Sequence, residues 1–102
     1  MYNIEITPLA MQDLDAIVQY IMDTLSNTTA ASNLLDDIEK RYEELSETPM
    51  MYEKCRDFRL MKLGYHRVVI KNYIMVYKID EQKNNVYIMR FFYGAQDYEK
   101  LI

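Results

Sequence analysis

The apolar residues of this chain change their spacing near the middle of the sequence. Before Thr48-Pro49 they recur at the three- and four-residue spacing of amphipathic helices. After Gly64 they alternate with polar residues or run continuously over short segments, which is typical of partly and fully buried strands. A chain of 102 residues that changes period once is expected to pack a helical first half against a sheet formed by the second half.

The first half of the sequence predicts one strand and two helices. Residues 2–6 alternate, and Thr7-Pro8 then supplies a helix cap and a first-turn proline. The apolar stripes of the two helices consist of Leu14, Ile17, Val18, Ile21 and Leu25 in the first and of Ala31, Leu34, Leu35, Ile38, Tyr42 and Leu45 in the second. The residues expected to face water are Asp13, Asp15, Gln19 and Asp23. Only Ser26-Asn27-Thr28 separates the helices, so we expect an antiparallel hairpin that ends at Thr48-Pro49.

The second half predicts three strands after a short helical turn near residues 58–61. The strands are expected at residues 65–70, 73–79 and 86–93, with the second of them in the centre of the sheet. Lys71-Asn72 is expected to form a tight turn with Asn72 in the left-handed conformation, and residues 94–102 to form a loop or a short helix. The order β-α-α-β-β-β predicts an α+β fold, in which a helical hairpin packs on one face of a four-stranded, mainly antiparallel sheet. Residues 1–102 are expected to form a single domain.

Composition excludes several kinds of protein. Cys55 is the only cysteine, so the chain forms no internal disulfide and suits a reducing compartment. The first residues lack the apolar core of a signal peptide, and no apolar run approaches the ~20 residues that a membrane helix needs. Metal-ligand spacings, a phosphate-binding glycine loop and a nucleophile elbow are also absent from the sequence. We therefore expect a cytoplasmic protein with no cofactor, no metal and no membrane partner.

Cationic and aromatic residues are interleaved in the second half, which is basic although the whole chain has a net charge of −4. Cations that pair with phosphates beside rings that stack on bases are typical of a nucleic-acid-binding surface. The same composition is equally compatible with ordinary surface lysines and strand tyrosines. The candidates for contact with nucleic acid or another target are Arg59, Lys62, Arg67, Lys71 and Lys78.

Arg90 lies in the middle of the last predicted strand, between Met89 and Phe91. An unpaired charge at a buried strand position is costly. Two interpretations stay open, since Arg90 either pairs with an acidic residue such as Asp97 or lines a concave binding site.

Taken together, these segments resemble the RelE/ParE superfamily, the toxin halves of bacterial type II toxin–antitoxin modules. The similarity begins with Ala10-x-x-Asp13-Leu14-x-x-Ile17-x-x-Tyr20 and continues through Gly64-Tyr65-His66-Arg67, residues 72–79, residues 86–90 and residues 94–98. The resemblance implies the hairpin-on-sheet fold and a toxin that inhibits growth, of the kind linked to plasmid stabilisation. It also implies a cognate antitoxin as a partner, and it leaves the oligomeric state open.

The superfamily divides by mechanism, and the sequence departs from one branch. ParE-like members inhibit DNA gyrase by binding it. RelE-like members are ribosome-dependent mRNA endonucleases (mRNA interferases), which drive a ribose 2′-OH onto the adjacent phosphate with a base, an acid and a cation. Ile74 stands where many RelE-like toxins carry arginine, and Tyr93 and Gln96 stand where the strand end often carries histidine or arginine. The resemblance therefore favours inhibition by binding, with DNA gyrase as one candidate target.

The nuclease remains an alternative, with the ribosome and its mRNA as the target. The catalytic candidates would then be His66 as the base, Arg67 and Arg90 as cations, and Tyr93 or Tyr98 as the acid. A third alternative is a non-toxic remnant that keeps the fold.

Overall fold

The computed structural model describes residues 1–94 and 96–102. Its elements are strand β1 Asn3–Ile6, helix α1 Pro8–Gln19, a π-helical turn Tyr20–Thr24, helix α2 Thr28–Glu47, helix α3 Phe58–Lys62, strands β2 Tyr65–Ile70, β3 Tyr73–Asp80 and β4 Asn85–Tyr93, and helix α4 Tyr98–Leu101. The predicted element order is confirmed, with α3 and α4 as the short helices. The predicted tail at residues 94–102 includes Ala95, which lies outside the described residues.

The sheet has the strand order β1-β4-β3-β2. Strand β1 runs parallel to β4, whereas β4 with β3 and β3 with β2 are antiparallel. The predicted α+β fold with a four-stranded, mainly antiparallel sheet is therefore confirmed, and β3 lies in its interior as expected. Within the described ranges no helix is both long and apolar enough to cross a membrane.

The helical hairpin begins and turns at capped positions. The Thr7 hydroxyl accepts a hydrogen bond from the Ala10 N–H (3.2 Å), and the Asn27 side-chain oxygen accepts one from the Ala30 N–H (3.0 Å). Between the helices the Leu25 N–H donates to the Tyr20 carbonyl (3.2 Å), which closes a π-helical turn with one extra residue. The extra residue rotates Leu25 out of the apolar stripe, so the prediction that it is buried is wrong; it is 55% exposed.

The sheet is covered on both faces. The hairpin face, which α1 and α2 cover, has a core formed by Ala10, Ile21, Ala31, Leu34, Ile38, Leu45, Val68, Ile70, Met75, Tyr77, Val86, Ile88 and Phe91. The opposite face, here called the second face, carries a smaller core formed by Cys55, Leu60, Ile74, Val76, Phe92 and Tyr98. Leu35 is exposed, contrary to prediction, because it lies one step around the helix from Leu34 and points away from the sheet.

Helix α1 completes the edge of β4 where β1 ends. The register pairs Val76 with Arg90 and Tyr77 with Ile88, so Met89 is an extra residue in β4, a β-bulge. Beyond the end of β1, the Asp13 carboxylate accepts a hydrogen bond from the Phe91 N–H (3.1 Å). The prediction that Asp13 faces water is therefore wrong, because an open strand edge lies next to this position of the helix.

The tight turn between β2 and β3 differs from prediction in one residue. Lys71, not Asn72, has a positive φ of 54°. The Asn72 carbonyl accepts a hydrogen bond from the Gly94 N–H (2.7 Å), which ties this residue to the end of β4. The position in the turn, and not the preference of the side chain, thus decides which residue is left-handed.

Candidate functional site

Two of the predicted cationic residues share one row of the sheet. Arg67 of β2 pairs with Val76 of β3, and Val76 pairs with Arg90 of β4. Since residues in register lie on the same face of a sheet, both arginines belong to the second face, on either side of Val76. The structure brings these two candidates close in the fold, but their surroundings differ.

Arg90 is held by a bidentate ion pair. Its Nε lies 2.6 Å from Asp13 Oδ2 and its Nη2 lies 3.1 Å from Asp13 Oδ1. The guanidinium carbon also lies 4.8 Å from the centre of the Phe92 ring. Of the two interpretations of Arg90, the structure shows pairing with an acidic residue, although the partner is Asp13 and not Asp97, which lies 3.5 Å from Lys100. The charge of Arg90 is therefore largely balanced within the fold.

Arg67 is enclosed but weakly paired. Its side chain is only 19% exposed, and its Nη1 lies 3.7 Å from Glu53 Oε1, beyond hydrogen-bonding distance. The guanidinium carbon lies 5.7 Å from the centre of the Tyr98 ring. Its Nε is buried and has no hydrogen-bond partner among the described residues. Arg67 thus keeps donor capacity that Arg90 has already used.

His66 lies on the other side of the sheet from Arg67. Neighbouring residues of a strand point to opposite faces, and His66 is 5% exposed under the hairpin. Its Nδ1 lies 2.9 Å from the Tyr52 carbonyl, and its ring stacks on Tyr77 with centroids 5.2 Å apart. The structure therefore does not bring the predicted base and the predicted cation Arg67 together.

The two candidate acids differ in exposure. Tyr98 packs in the second-face core against Phe92, with ring centroids 6.1 Å apart, and burial raises the pKa of its phenol. Tyr93 stands at the end of β4, more than half exposed, with its ring edge-on to Tyr73 at 6.0 Å. Ile74, at the position where nucleases often carry arginine, is buried in the second-face core.

The predicted target-binding cations do not form one patch. Lys71 lies in the turn of the β2–β3 hairpin, 3.1 Å from Asp37, while Lys78 lies at the opposite end of that hairpin above the Tyr65 ring. On α3, Lys62 lies 4.7 Å above the Phe58 ring. Arg59 donates to the carbonyls of Glu99 (3.1 Å) and Ile102 (3.4 and 3.5 Å), which ties α3 to the end of the described chain.

Two adjoining clefts lie where the hairpin, the β2–β3 turn and the end of β4 meet. The first, here called the arginine cleft, has a volume of about 260 Å³ and is lined by Arg67, Val69, Lys71, Asn72, Ile74, Tyr93 and Gly94. The second, here called the tyrosine cleft, has a volume of about 540 Å³ and is lined by Ala16, Ile17, Tyr20, Leu25, Asn72, Tyr73 and Tyr93. Asn72 and Tyr93 line both, so the clefts adjoin at this end of the sheet. Arg67 and Ile74 place the arginine cleft on the second face, whereas Tyr73 places the tyrosine cleft on the hairpin face.

Sequence reasoning did not find the tyrosine cleft. Tyr20 and Leu25 enter it from the two ends of the π-helical turn, and no residue pattern predicts such a turn. Asn72 enters because its carbonyl is tied to Gly94 across the sheet. Tyr93, which was singled out for its place at a strand end, is the one predicted site residue that borders both clefts.

Comparison with known proteins places this chain in a family. Residues 4–98 match the family described as the ParE toxin of the type II toxin–antitoxin system parDE. Comparison with curated protein sequences finds no match. The chromosomal ParDE toxin–antitoxin system from P. aeruginosa has a similar structure, with a TM-score of 0.71 at 17% identity over 91% of this chain and 96% of that chain.

Two further solved structures share the fold. The intact RelBE toxin–antitoxin complex of E. coli matches with a TM-score of 0.67 at 14% identity, over 94% of this chain and 100% of that chain. The RelBE2 toxin–antitoxin complex of Mycobacterium tuberculosis matches with a TM-score of 0.61 at 20% identity, over 90% of this chain and 96% of that chain. The family match extends from β1 to the start of α4, so this chain belongs to the ParE toxins of type II toxin–antitoxin systems.

Proposed function

We propose that this toxin arrests growth by binding a target protein in the cytoplasm, with DNA gyrase as the first candidate, and that a cognate antitoxin neutralises it. One observation carries the choice of binding over RNA cleavage. The groups that 2′-OH attack on a phosphate would need lie on different faces of the sheet or are already engaged within the fold.

The separation of base and cation supports binding. A base and a phosphate-stabilising cation must reach the same nucleotide. His66 is enclosed under the hairpin with its Nδ1 beside the Tyr52 carbonyl, whereas Arg67 lies on the second face. The backbone of the sheet stands between them, so one nucleotide would not contact both side chains in this arrangement.

The remaining catalytic candidates also support binding over RNA cleavage. Arg90 already forms two hydrogen bonds to Asp13, and this balanced charge would stabilise a phosphorane less than a free guanidinium. Burial raises the pKa of Tyr98 above the ordinary tyrosine value, which makes it a weaker acid for a leaving oxygen. Ile74 contributes no charge where a catalytic cation would stand.

The surface around the two clefts has the composition of a protein interface. Tyrosine, methionine and arginine are enriched in the centres of such interfaces, and large exposed apolar side chains mark them. Tyr20, Leu25 and Tyr93 are each more than half exposed around the tyrosine cleft. A target or an antitoxin that covered these side chains would remove apolar surface from water.

The antitoxin follows by analogy with the structural neighbours. The E. coli and M. tuberculosis structures are toxin–antitoxin complexes. We extend this pairing to the present chain and expect its antitoxin to be encoded in the adjacent gene. Co-purification of the two products tests the pairing, and failure to associate at micromolar concentration would contradict it.

The choice of target is tested by induced expression in a bacterial host. We expect growth arrest with DNA-damage signalling, inhibition of gyrase-catalysed supercoiling by the purified protein, and no codon-linked cleavage when transcripts are mapped by primer extension. Tyr93→Phe, which keeps the ring and removes only the hydroxyl, is expected to retain toxicity if binding is the mechanism.

Two outcomes would overturn the proposal. Cleavage of mRNA in the ribosomal A site by the wild type, lost in Arg67→Ala and Tyr93→Phe, would assign the chain to the nuclease branch. Growth at the uninduced rate, with the protein folded and abundant, would identify a non-toxic remnant of the fold.

A further inference from the structure

Three tyrosine side chains gather around the tyrosine cleft. Tyr73 and Tyr93 are partners in the register of β3 and β4, with ring centroids 6.0 Å apart and ring planes at 67° to each other. Burial raises the pKa of Tyr73, and the phenols of Tyr93 and Tyr20 raise it further, as neighbouring groups of like charge do. The cleft is therefore bordered by aromatic rings from three elements, the π-helical turn, β3 and β4.

The tyrosine cleft offers hydrogen-bond acceptors and apolar walls. Its polar side chains are the three phenols and the Asn72 amide, and each of these can accept a hydrogen bond. The other lining residues, Ala16, Ile17 and Leu25, are apolar. None of the described residues that line it carries a charge. A group that brings several donors and stacks on aromatic rings fits these walls.

The helical wall of the tyrosine cleft belongs to the acidic part of the chain. The first basic side chain in the sequence is Lys40, and seven acidic side chains precede it. Among these, Asp15 on α1 and Asp23 in the π-helical turn are exposed on the two elements that form this wall. The cation beside Asn72 in the sequence, Lys71, lies 3.1 Å from Asp37, which balances its charge. The charges around the cleft thus favour a positively charged occupant over a carboxylate.

We propose that the tyrosine cleft receives an arginine side chain of a protein partner, with its guanidinium against the tyrosine rings and its methylene groups against Ile17 and Leu25. Arginine suits the cleft better than lysine, because a guanidinium is planar, stacks on aromatic rings and is more weakly hydrated than an ammonium group. Its five N–H donors also match a wall of acceptors. The inference rests on the proposed function only in assuming a protein partner, and it names the chemistry that this partner must bring.

The experiment uses the isolated chain and short blocked glycine peptides with one variable residue in the middle. That residue is arginine in the test peptide and citrulline, an uncharged side chain of nearly the same shape, in its twin. Peptides with lysine and with leucine complete the set. Binding is followed by NMR through the backbone amide signals of Tyr20, Asn72 and Tyr93. We expect the arginine peptide to bind at least about threefold more tightly than its citrulline twin, as a cation–π contact at a partly exposed site would provide, and more tightly than the other two peptides.

Matched variants assign the preference to the cleft without changing the charge of the chain. Tyr20→Leu keeps an exposed apolar side chain and is expected to bring the arginine and citrulline peptides to within about 1.5-fold of each other. Tyr20→Phe keeps the ring and is expected to retain a preference of at least about twofold. Tyr87→Leu removes a ring near the other end of β4 and is expected to keep the wild-type preference. The wild-type comparison stands by itself if a variant fails to fold.

Three results would overturn the inference. These are equal affinities of the arginine and citrulline peptides, tighter binding of the lysine or leucine peptide than of the arginine peptide, and an arginine preference that Tyr20→Leu leaves unchanged or that Tyr87→Leu also removes. Growth arrest is measured separately in cells. Growth at the uninduced rate with an intact arginine preference would count against the proposed function alone, whereas arrest without any arginine preference would count against this inference alone.

Discussion

Replacing Asp13 with alanine is expected to destabilise the fold by about 3 kcal/mol. The carboxylate accepts three hydrogen bonds, two from Arg90 and one from the Phe91 N–H. Removing one partner of a buried ion pair costs about 3–5 kcal/mol, because the remaining charge is left without compensation. The side chains of Arg90 and Asp13 are 22% and 16% exposed, so water can reach part of the orphaned guanidinium and the lower end of this range applies.

The change is measured by urea unfolding followed by circular dichroism, with Asp15→Ala as the matched control. Asp15 lies on the same helix and is exposed, so its loss should change the free energy of unfolding by no more than about 0.5 kcal/mol. Asp13→Asn keeps an oxygen for the Phe91 N–H and is expected to lose about half as much as alanine. For a domain of this size, 3 kcal/mol corresponds to a fall in Tm on the order of 10–20 °C.

A double-mutant cycle with Arg90→Met isolates the interaction energy between Asp13 and Arg90 from the other effects of each substitution. The double variant removes both charges, so its loss should be smaller than the sum of the two single losses by at least about 1.5 kcal/mol. A loss below about 1 kcal/mol in Asp13→Ala, or additive effects in the cycle, would refute the view that this pair holds α1 on the edge of β4.

Three further predictions concern the hairpin. Burial raises the pKa of Tyr42 to about 12, so the stability that its neutral phenol contributes is complete below the ordinary value of 10.0 and is lost as pH rises towards 12. Between about pH 9 and 12 the free energy of unfolding should therefore decline less steeply in Tyr42→Phe than in the wild type. An equally steep decline would contradict this. Ser26 has a φ of 50°, so Ser26→Gly should raise the free energy of unfolding by about 0.5–1 kcal/mol, whereas Ser32→Gly within α2 should lower it by about 0.5 kcal/mol. Leu25→Ser should leave stability within about 0.5 kcal/mol, and Leu34→Ala should cost about 2–5 kcal/mol; a large loss at Leu25 would contradict its displacement by the π-helical turn.

Much of the fold follows from periodicity, and the errors arise where tertiary contacts decide. Strand β2 matches its predicted limits of residues 65–70, because alternation and the Lys71-Asn72 turn both define it. Helix periodicity places Asp13 on the solvent-facing side of α1, but it contains no information on the edge of β4 that remains unpaired beyond the end of β1. Leu25 fails for a similar reason, since one extra residue in a turn changes the direction of every side chain that follows.

The candidate site was predictable only in part. Strand alternation already separates His66 from Arg67, because adjacent residues point to opposite faces. The partner of Arg90 was not predictable, since Asp13 lies far from it in the sequence and a register with a bulge brings the two together. The roles of these residues in toxicity stay predictions.

The parallel pairing of β1 with β4 has a consequence for the nascent chain. Thr7 and Ile88, which are hydrogen-bonded at the end of this pairing, are 81 residues apart. At typical rates of 5–20 residues per second, β1 waits about 4–16 s for its partner strand to be synthesised. During that time the apolar stripes of the hairpin lack the complete sheet that later covers them. The chain therefore acquires its native topology only after β4 has been synthesised, and until then its hairpin is open to aggregation or to capture by a chaperone.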